Sequence, residues 1–177
     1  PCSMPLASFP MKTLKPYLEL CRTPLSLFAA CSAATGFLIA PHGQSAAVLV
    51  PVAAVFALAC GASTLNQVQE RAIDARMERT RQRPIPAGVI APMRAFALSM
   101  TLILSGLFLL VRNGGMIAAG LGLAAILWYN GVYTFLKKKT AFAAVPGALV
   151  GAIPPAIGWV LGGGMLFDPM LSALCAL

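Results

Sequence analysis

Charge is scarce in this sequence, and acid scarcest of all. Of 177 residues only 5 are Asp or Glu, and charged residues make up 10%. A soluble domain usually carries about 25% charged residues, so an ordinary water-soluble globule is excluded. Paired cysteine spacing is missing too. Cys2, Cys21, Cys31, Cys60 and Cys175 are scattered, three of them within or at the ends of apolar stretches. They read as small apolar fillers rather than disulfides or metal ligands. No charged segment leads into a short apolar core and cleavage site, so no signal peptide is expected. The sequence opens on Pro1 and stops inside the apolar run 170–177, and both ends read as cut.

What is present is hydrophobic: 59% of residues, gathered in blocks rather than spread evenly. The blocks are roughly 17–23 residues long, the length that crosses a ~30 Å hydrocarbon core as helix. They fall at 24–40, 45–65, 95–111, 116–136 and 141–161, with the start of a sixth at the C-terminal end. The expected fold is therefore all-α: one domain over 1–177, a polytopic transmembrane helical bundle of about five complete spans. Pro24 suits a helix start, and turns are expected at 41–44 and 112–115.

The net charge of +8 raises nucleic acid as a partner. The basic residues instead sit at the ends of apolar blocks, which points to membrane topology and no nucleic acid. Lys12, Lys15 and Arg22 precede the first span. Arg71, Arg76, Arg79, Arg81, Arg83 and Arg94 follow the second, and Lys137, Lys138 and Lys139 follow the fourth. Together these are 12 of the 13 basic residues, with Arg112 alone on the other side. The positive-inside rule places the rich face in the cytoplasm, and a bacterial inner membrane is the expected location.

The fifth span carries Gly147, Gly151, Gly158 and Gly162 on one helical face, a stripe that lets another helix approach closely. Pro154 and Pro155 are expected to interrupt that helix. Trp128, Tyr129 and Trp159 sit near span ends as expected interfacial anchors, and His42 falls on an outer turn.

Chemistry is concentrated in 66–88. Residues 66–78 have helical potential throughout, and Asn66, Glu70 and Asp74 stack at i, i+4 and i+8, about 6 Å apart along the axis. Two carboxylates a turn apart suit Mg²⁺, which takes one or two carboxylates and shares its other positions with water and phosphate. Arg79, Arg81 and Arg83 follow, and arginine forks hold phosphate oxygens bidentately. Pro84, Pro86 and Gly88 fold this stretch into a rigid turn. Metal ligands beside an arginine clamp fit a Mg²⁺-bound diphosphate with a hydrophobic tail in the bundle. The same residues also fit plain ion pairs on a solvated helix face, and spacing alone leaves both readings open.

At these residues the sequence resembles the UbiA family of membrane prenyltransferases. Asn66, Glu70, Asp74, Arg79-Thr80 and Arg83-Pro84 match the order and spacing of its first motif. Three segments look like the branch that farnesylates protoheme IX: Asp74 to Thr80, Tyr133 to Thr140, and Gly151 to Trp159. The resemblance covers about Tyr17 to Trp159. It implies a bundle of about nine spans around a cavity open to the membrane. It further implies Mg²⁺-assisted loss of diphosphate from an allylic donor, and capture of the resulting cation by an acceptor. Asn66, Glu70 and Asp74 would then hold Mg²⁺. Arg79, Arg83, Lys137 and Lys138 would hold diphosphate, with Tyr133 and Arg22 as further candidates.

In that branch the donor is farnesyl diphosphate and the acceptor is heme. The sequence departs from the family in two places: Glu70 stands where Asp is usual, and Ala72 replaces a further acid. The family's second acidic motif lies beyond Leu177, so this stretch alone holds half a site and is expected to be inactive by itself. Two alternatives stand beside it. One is a UbiA-type enzyme acting on an aromatic acid, quinone precursor or lipid. The other is a non-catalytic scaffold or transporter fragment with structural carboxylates.

Overall fold

The computed structural model describes residues 11–137 and 144–176, with backbone alone at 11–13, 45, 144–146 and 175–176. Among the described residues every regular element is helical. They are α1 (Met11–Leu20), α2 (Thr23–Ile39), a 3₁₀ turn (Ser45–Ala47), α3 (Leu49–Asp74), α4 (Pro92–Ile126), a π-helical stretch (Leu127–Tyr133), α5 (Thr134–Leu136), α6 (Ala144–Leu161) and α7 (Pro169–Ala176).

The break between α1 and α2 bends the chain by 55°. Arg22 makes it, in the left-handed region at φ 45° and ψ 52°. Carbonyls stranded at the end of α1 find local donors: Thr23 Oγ1 donates to Leu18 O at 3.1 Å, and Ser26 Oγ to Cys21 O at 2.8 Å. Pro24 sits in the first turn of α2, where its missing N–H costs nothing.

Leu49–Asp74 and Pro92–Leu136 are each long and apolar enough to cross a membrane. The second runs 45 residues, roughly 67 Å if straight and about twice a bilayer core. It is not straight. Gly115 takes φ 65° and ψ −163°, and the chain reverses there. A Cβ added at Gly122 would stand 2.7 Å from Leu110 Cδ1 and 3.0 Å from Leu58 Cδ1, contacts possible only if the second arm returns along the first. The expected spans thus correspond to α2, α3, the two arms around Gly115, and α6.

Small residues set how closely these helices approach, as is usual where lipid supplies no hydrophobic drive between spans. At the α3–α4 contact a Cβ on Gly61 would be 3.0 Å from Ser99 O, and one on Gly106 would be 2.9 Å from Ala54 O. Ser99 Oγ donates to Gly61 O at 2.9 Å across the same seam. Ala54, Val55, Leu58, Ile103, Leu110 and Ile157 form the core. Phe28, Leu104, Phe108 and Ile117 are exposed, as lipid-facing side chains would be.

Three expectations need correction. The helix carrying Asn66 ends at Asp74 rather than continuing to Glu78, and 75–90 fold as successive turns and bends. Thr80 Oγ1 donates to Asp74 O at 3.0 Å, satisfying a carbonyl that another helical turn would have used. Pro154 and Pro155 do not interrupt α6, which runs through both. Trp159 is buried rather than interfacial, and its Nε1 donates to Met165 O at 3.0 Å. The glycine stripe divides in function: Gly158 and Gly162 lie against Ala33 and Phe37 of α2 and Ala40 just after it, whereas Gly151 meets nothing within 4 Å.

Candidate active site

The C-terminal turns of α3, which carry the expected site residues, are buried. Asn66 is 0% exposed, Asp74 4% and Glu70 8%. One helical face therefore carries two carboxylates and an amide into the protein, and buried charges of this kind must be paired.

They are paired by residues distant in sequence. Lys137 Nζ donates to Glu70 Oε2 at 3.0 Å and to Asn66 Oδ1 at 3.3 Å. Asn66 Nδ2 donates to the same Glu70 oxygen at 2.9 Å. These partners fix the amide's orientation, with oxygen toward the ammonium and nitrogen toward the carboxylate. Thr134 Oγ1 lies 2.8 Å from both Asn66 Oδ1 and Tyr129 O, and its one proton serves one of them at a time. Asp74 pairs separately: Arg83 Nη1 donates to its Oδ2 at 2.7 Å.

Two tyrosines line the site's inner edge. Tyr129 and Tyr133 stack with centroids 5.7 Å apart at 15°, and the Lys137 ammonium lies 5.4 Å from the Tyr133 ring centre. The π-helical stretch explains their arrangement, since its wider turn places residues four apart over one another. Arg22, Glu70 and Arg83 all lie within electrostatic reach of the Tyr129 hydroxyl.

Behind the tyrosines opens a cavity of about 550 Å³, mostly apolar. α2 contributes Leu25, Ser26 and Phe28; α3 contributes Val55, Leu58 and Ser63; α6 contributes Gly147, Gly151 and Pro154. Bare Gly151 helps keep it open. On α3 the lining runs from Val55 to Ser63, about 12 Å of helix, and ends one turn short of Asn66. A polar, doubly charged mouth thus leads into an apolar chamber.

Of the expected site residues, the structure gathers Asn66, Glu70, Asp74, Arg83, Lys137 and Tyr133, and half-buried Arg22 directly precedes α2, whose first turns line the cavity. Arg79 is exposed, and Lys138 lies outside the described residues. Tyr129, expected as an interfacial anchor, lines the cavity instead, and Thr134 joins the group although nothing local in the sequence marked it.

The donor chemistry fits a hard divalent cation. Asn66 Oδ1 and Glu70 Oε2 already converge on one cationic nitrogen, and all candidate ligands are oxygens, which Mg²⁺ prefers. The set is partial: among the described residues no three of His, Cys, Asp or Glu come together.

The profile of the UbiA prenyltransferase family matches residues 27–177. The chain belongs to the UbiA prenyltransferase family. It is 46% identical over 147 residues to the protoheme IX farnesyltransferase of Geobacter sulfurreducens, covering 83% of this chain and 54% of that one. It is 39% identical over 156 residues to that of Oleidesulfovibrio alaskensis, covering 88% and 55%. The chain thus spans about half the length of the curated relatives it matches. A UbiA homologue from Archaeoglobus fulgidus bound to DMAPP and Mg²⁺ has the same fold, with TM-score 0.74 at 18% identity over 90% of this chain and 58% of that one. A digeranylgeranylglyceryl phosphate synthase structure gives TM-score 0.80 at 23% identity, covering 93% and 58%. The apolar helices and this membership make it an integral membrane protein.

Proposed function

We propose that this chain forms the first half of a Mg²⁺-dependent prenyltransferase site. The site moves farnesyl from farnesyl diphosphate to protoheme IX on the cytoplasmic side of a bacterial inner membrane. The observation that carries the reading is the buried row Asn66, Glu70 and Asp74, paired with Lys137 and Arg83 at the mouth of an apolar cavity. The names of its relatives support the choice of donor and acceptor.

Charge complementarity supports the site. A magnesium diphosphate carries both signs, so each buried ion pair offers it one partner: carboxylates for the metal, cations for the phosphates. Asn66, Glu70 and Asp74 would hold Mg²⁺, which when bound neutralises and orients the leaving diphosphate. Lys137, Arg83 and Arg22 hold diphosphate oxygens, with Arg79 and Lys138 as further candidates. Tyr129 and Tyr133 present ring faces between that anion and the cavity, where an allylic centre gaining positive charge is favoured by an aromatic face. The apolar walls hold the prenyl tail and keep water from the reacting carbon.

A transfer assay with the complete natural protein tests the reading, comparing protoheme IX with an aromatic quinone precursor as acceptor. Magnesium-dependent farnesylation of heme alone supports it. Transfer only to the aromatic acceptor would move the chain to another UbiA branch, and no transfer to either would favour a scaffold.

A further inference from the structure

Gln67 follows Asn66 on α3 and points the other way, toward the end of α1. Its side chain is 2% exposed, and Nε2 donates to Leu20 O at 2.8 Å and to Glu19 O at 3.3 Å. Only a donor suits a position opposite two carbonyls, which fixes the amide and leaves buried Oε1 without a partner. An unsatisfied buried acceptor is destabilising. An apolar residue would avoid that cost, so the amide is kept for what its nitrogen holds.

What it holds is the last turn before Arg22. Among the described residues Arg22 is the one non-glycine with positive φ, a strained conformation that persists only where its surroundings impose it. Gln67 fastens the carbonyls on the α1 side of that residue, and Ser26 Oγ fastens Cys21 O from the α2 side. Arg22 stands directly before the turn of α2 that lines the cavity: Ser26 N donates to Arg22 O at 3.1 Å, and Leu25 and Ser26 form part of the cavity wall.

We propose that Gln67 is a positioning residue: by clamping the end of α1 to α3 it holds the left-handed turn that aims Arg22 at the diphosphate end of the donor. This deepens the prenyl diphosphate reading above and rests on it. A double-mutant cycle separates such coupling from general weakening of the fold. Binding of farnesyl thiodiphosphate with Mg²⁺ is measured on the detergent-solubilised complete protein, for wild type, Gln67→Leu, Arg22→Ala and the double variant. Gln67→Met serves as a second apolar replacement of similar length, and melting temperatures confirm which variants fold. Each single change should weaken binding about tenfold, the worth of one charge-assisted hydrogen bond, and the double variant should bind no worse than Arg22→Ala. Wild-type affinity in both Gln67 variants, or a double variant weakened by the product of the singles, would overturn the proposal. A wild type that does not bind the analogue at all would instead overturn the prenyl diphosphate reading, and the proposal with it.

Discussion

Lys137 Nζ lies 3.0 Å from Glu70 Oε2, a contact joining residues 67 positions apart in the chain. It ties the end of the fourth span to the end of the second and brings together two stretches that sequence spacing could only treat separately.

Because Glu70 is buried, removing its cation should be costly. Lys137→Met should destabilise the protein by about 3 kcal/mol, the range for stripping one partner from a buried pair. Adding Glu70→Gln should recover part of that loss, since the buried charge that Lys137 offsets is then gone. Thermal unfolding in detergent checks both variants. Equal melting temperatures for wild type and Lys137→Met would show that the pair does not hold this corner.

The glycines of α6 divide into two kinds, and alanine should tell them apart. A Cβ at Gly158 would collide with the Ala33 carbonyl, backbone that cannot turn aside, so Gly158→Ala should cost at least about 2 kcal/mol. Gly151 meets nothing within 4 Å. Gly151→Ala should leave stability unchanged or raise it by up to about 1 kcal/mol, through helix propensity. The melting temperatures of the two variants should move in different directions or by clearly different amounts.

Much of this was readable from residue order, and the failures have physical causes. The buried polar face of α3 was legible because Asn66, Glu70 and Asp74 repeat at helical spacing, and charge alternation put Arg83 and Lys137 on the same side of the bundle, where the structure pairs them with Asp74 and Glu70. Where α3 stops was not legible. Residues 75–78 favour helix locally, yet the chain turns after Asp74, where Met77 N and the Thr80 hydroxyl both donate to Asp74 O. Thr134 and Tyr129 depend on the register of the π-helical stretch against α3, and no local pattern encodes that register. Arg79 matched a motif, yet the turns after Asp74 aim Arg83 inward and leave Arg79 exposed.

Cys21 sits in the break between α1 and α2, and its thiol is lowered to about 7, chiefly by a hydrogen bond from Cys60 and further by Thr64, against the opposing effect of burial. The thiolate is the charged and reactive form. Alkylation of Cys21 should therefore rise through about pH 7 and level off above it, where an ordinary thiol is still climbing. Cys60→Ala removes the donor and should move the midpoint upward, whereas Cys60→Ser should keep it low. A pH–rate profile of iodoacetamide labelling at Cys21 decides this; an unchanged profile in Cys60→Ala would contradict it.

The central claim is that buried Asp74 serves a metal-bound diphosphate rather than merely closing an ion pair with Arg83. The most direct measurement is Mg²⁺-dependent farnesyl transfer by the complete protein and its Asp74→Asn variant, over a magnesium titration. Asn keeps the size and can still accept from Arg83, so the fold should survive. Transfer should fall at least about 100-fold, the upper end of what losing even an outer partner of a bound metal costs, and the magnesium needed for half-maximal rate should rise. A folded Asp74→Asn variant with wild-type transfer and an unmoved magnesium dependence would contradict the account.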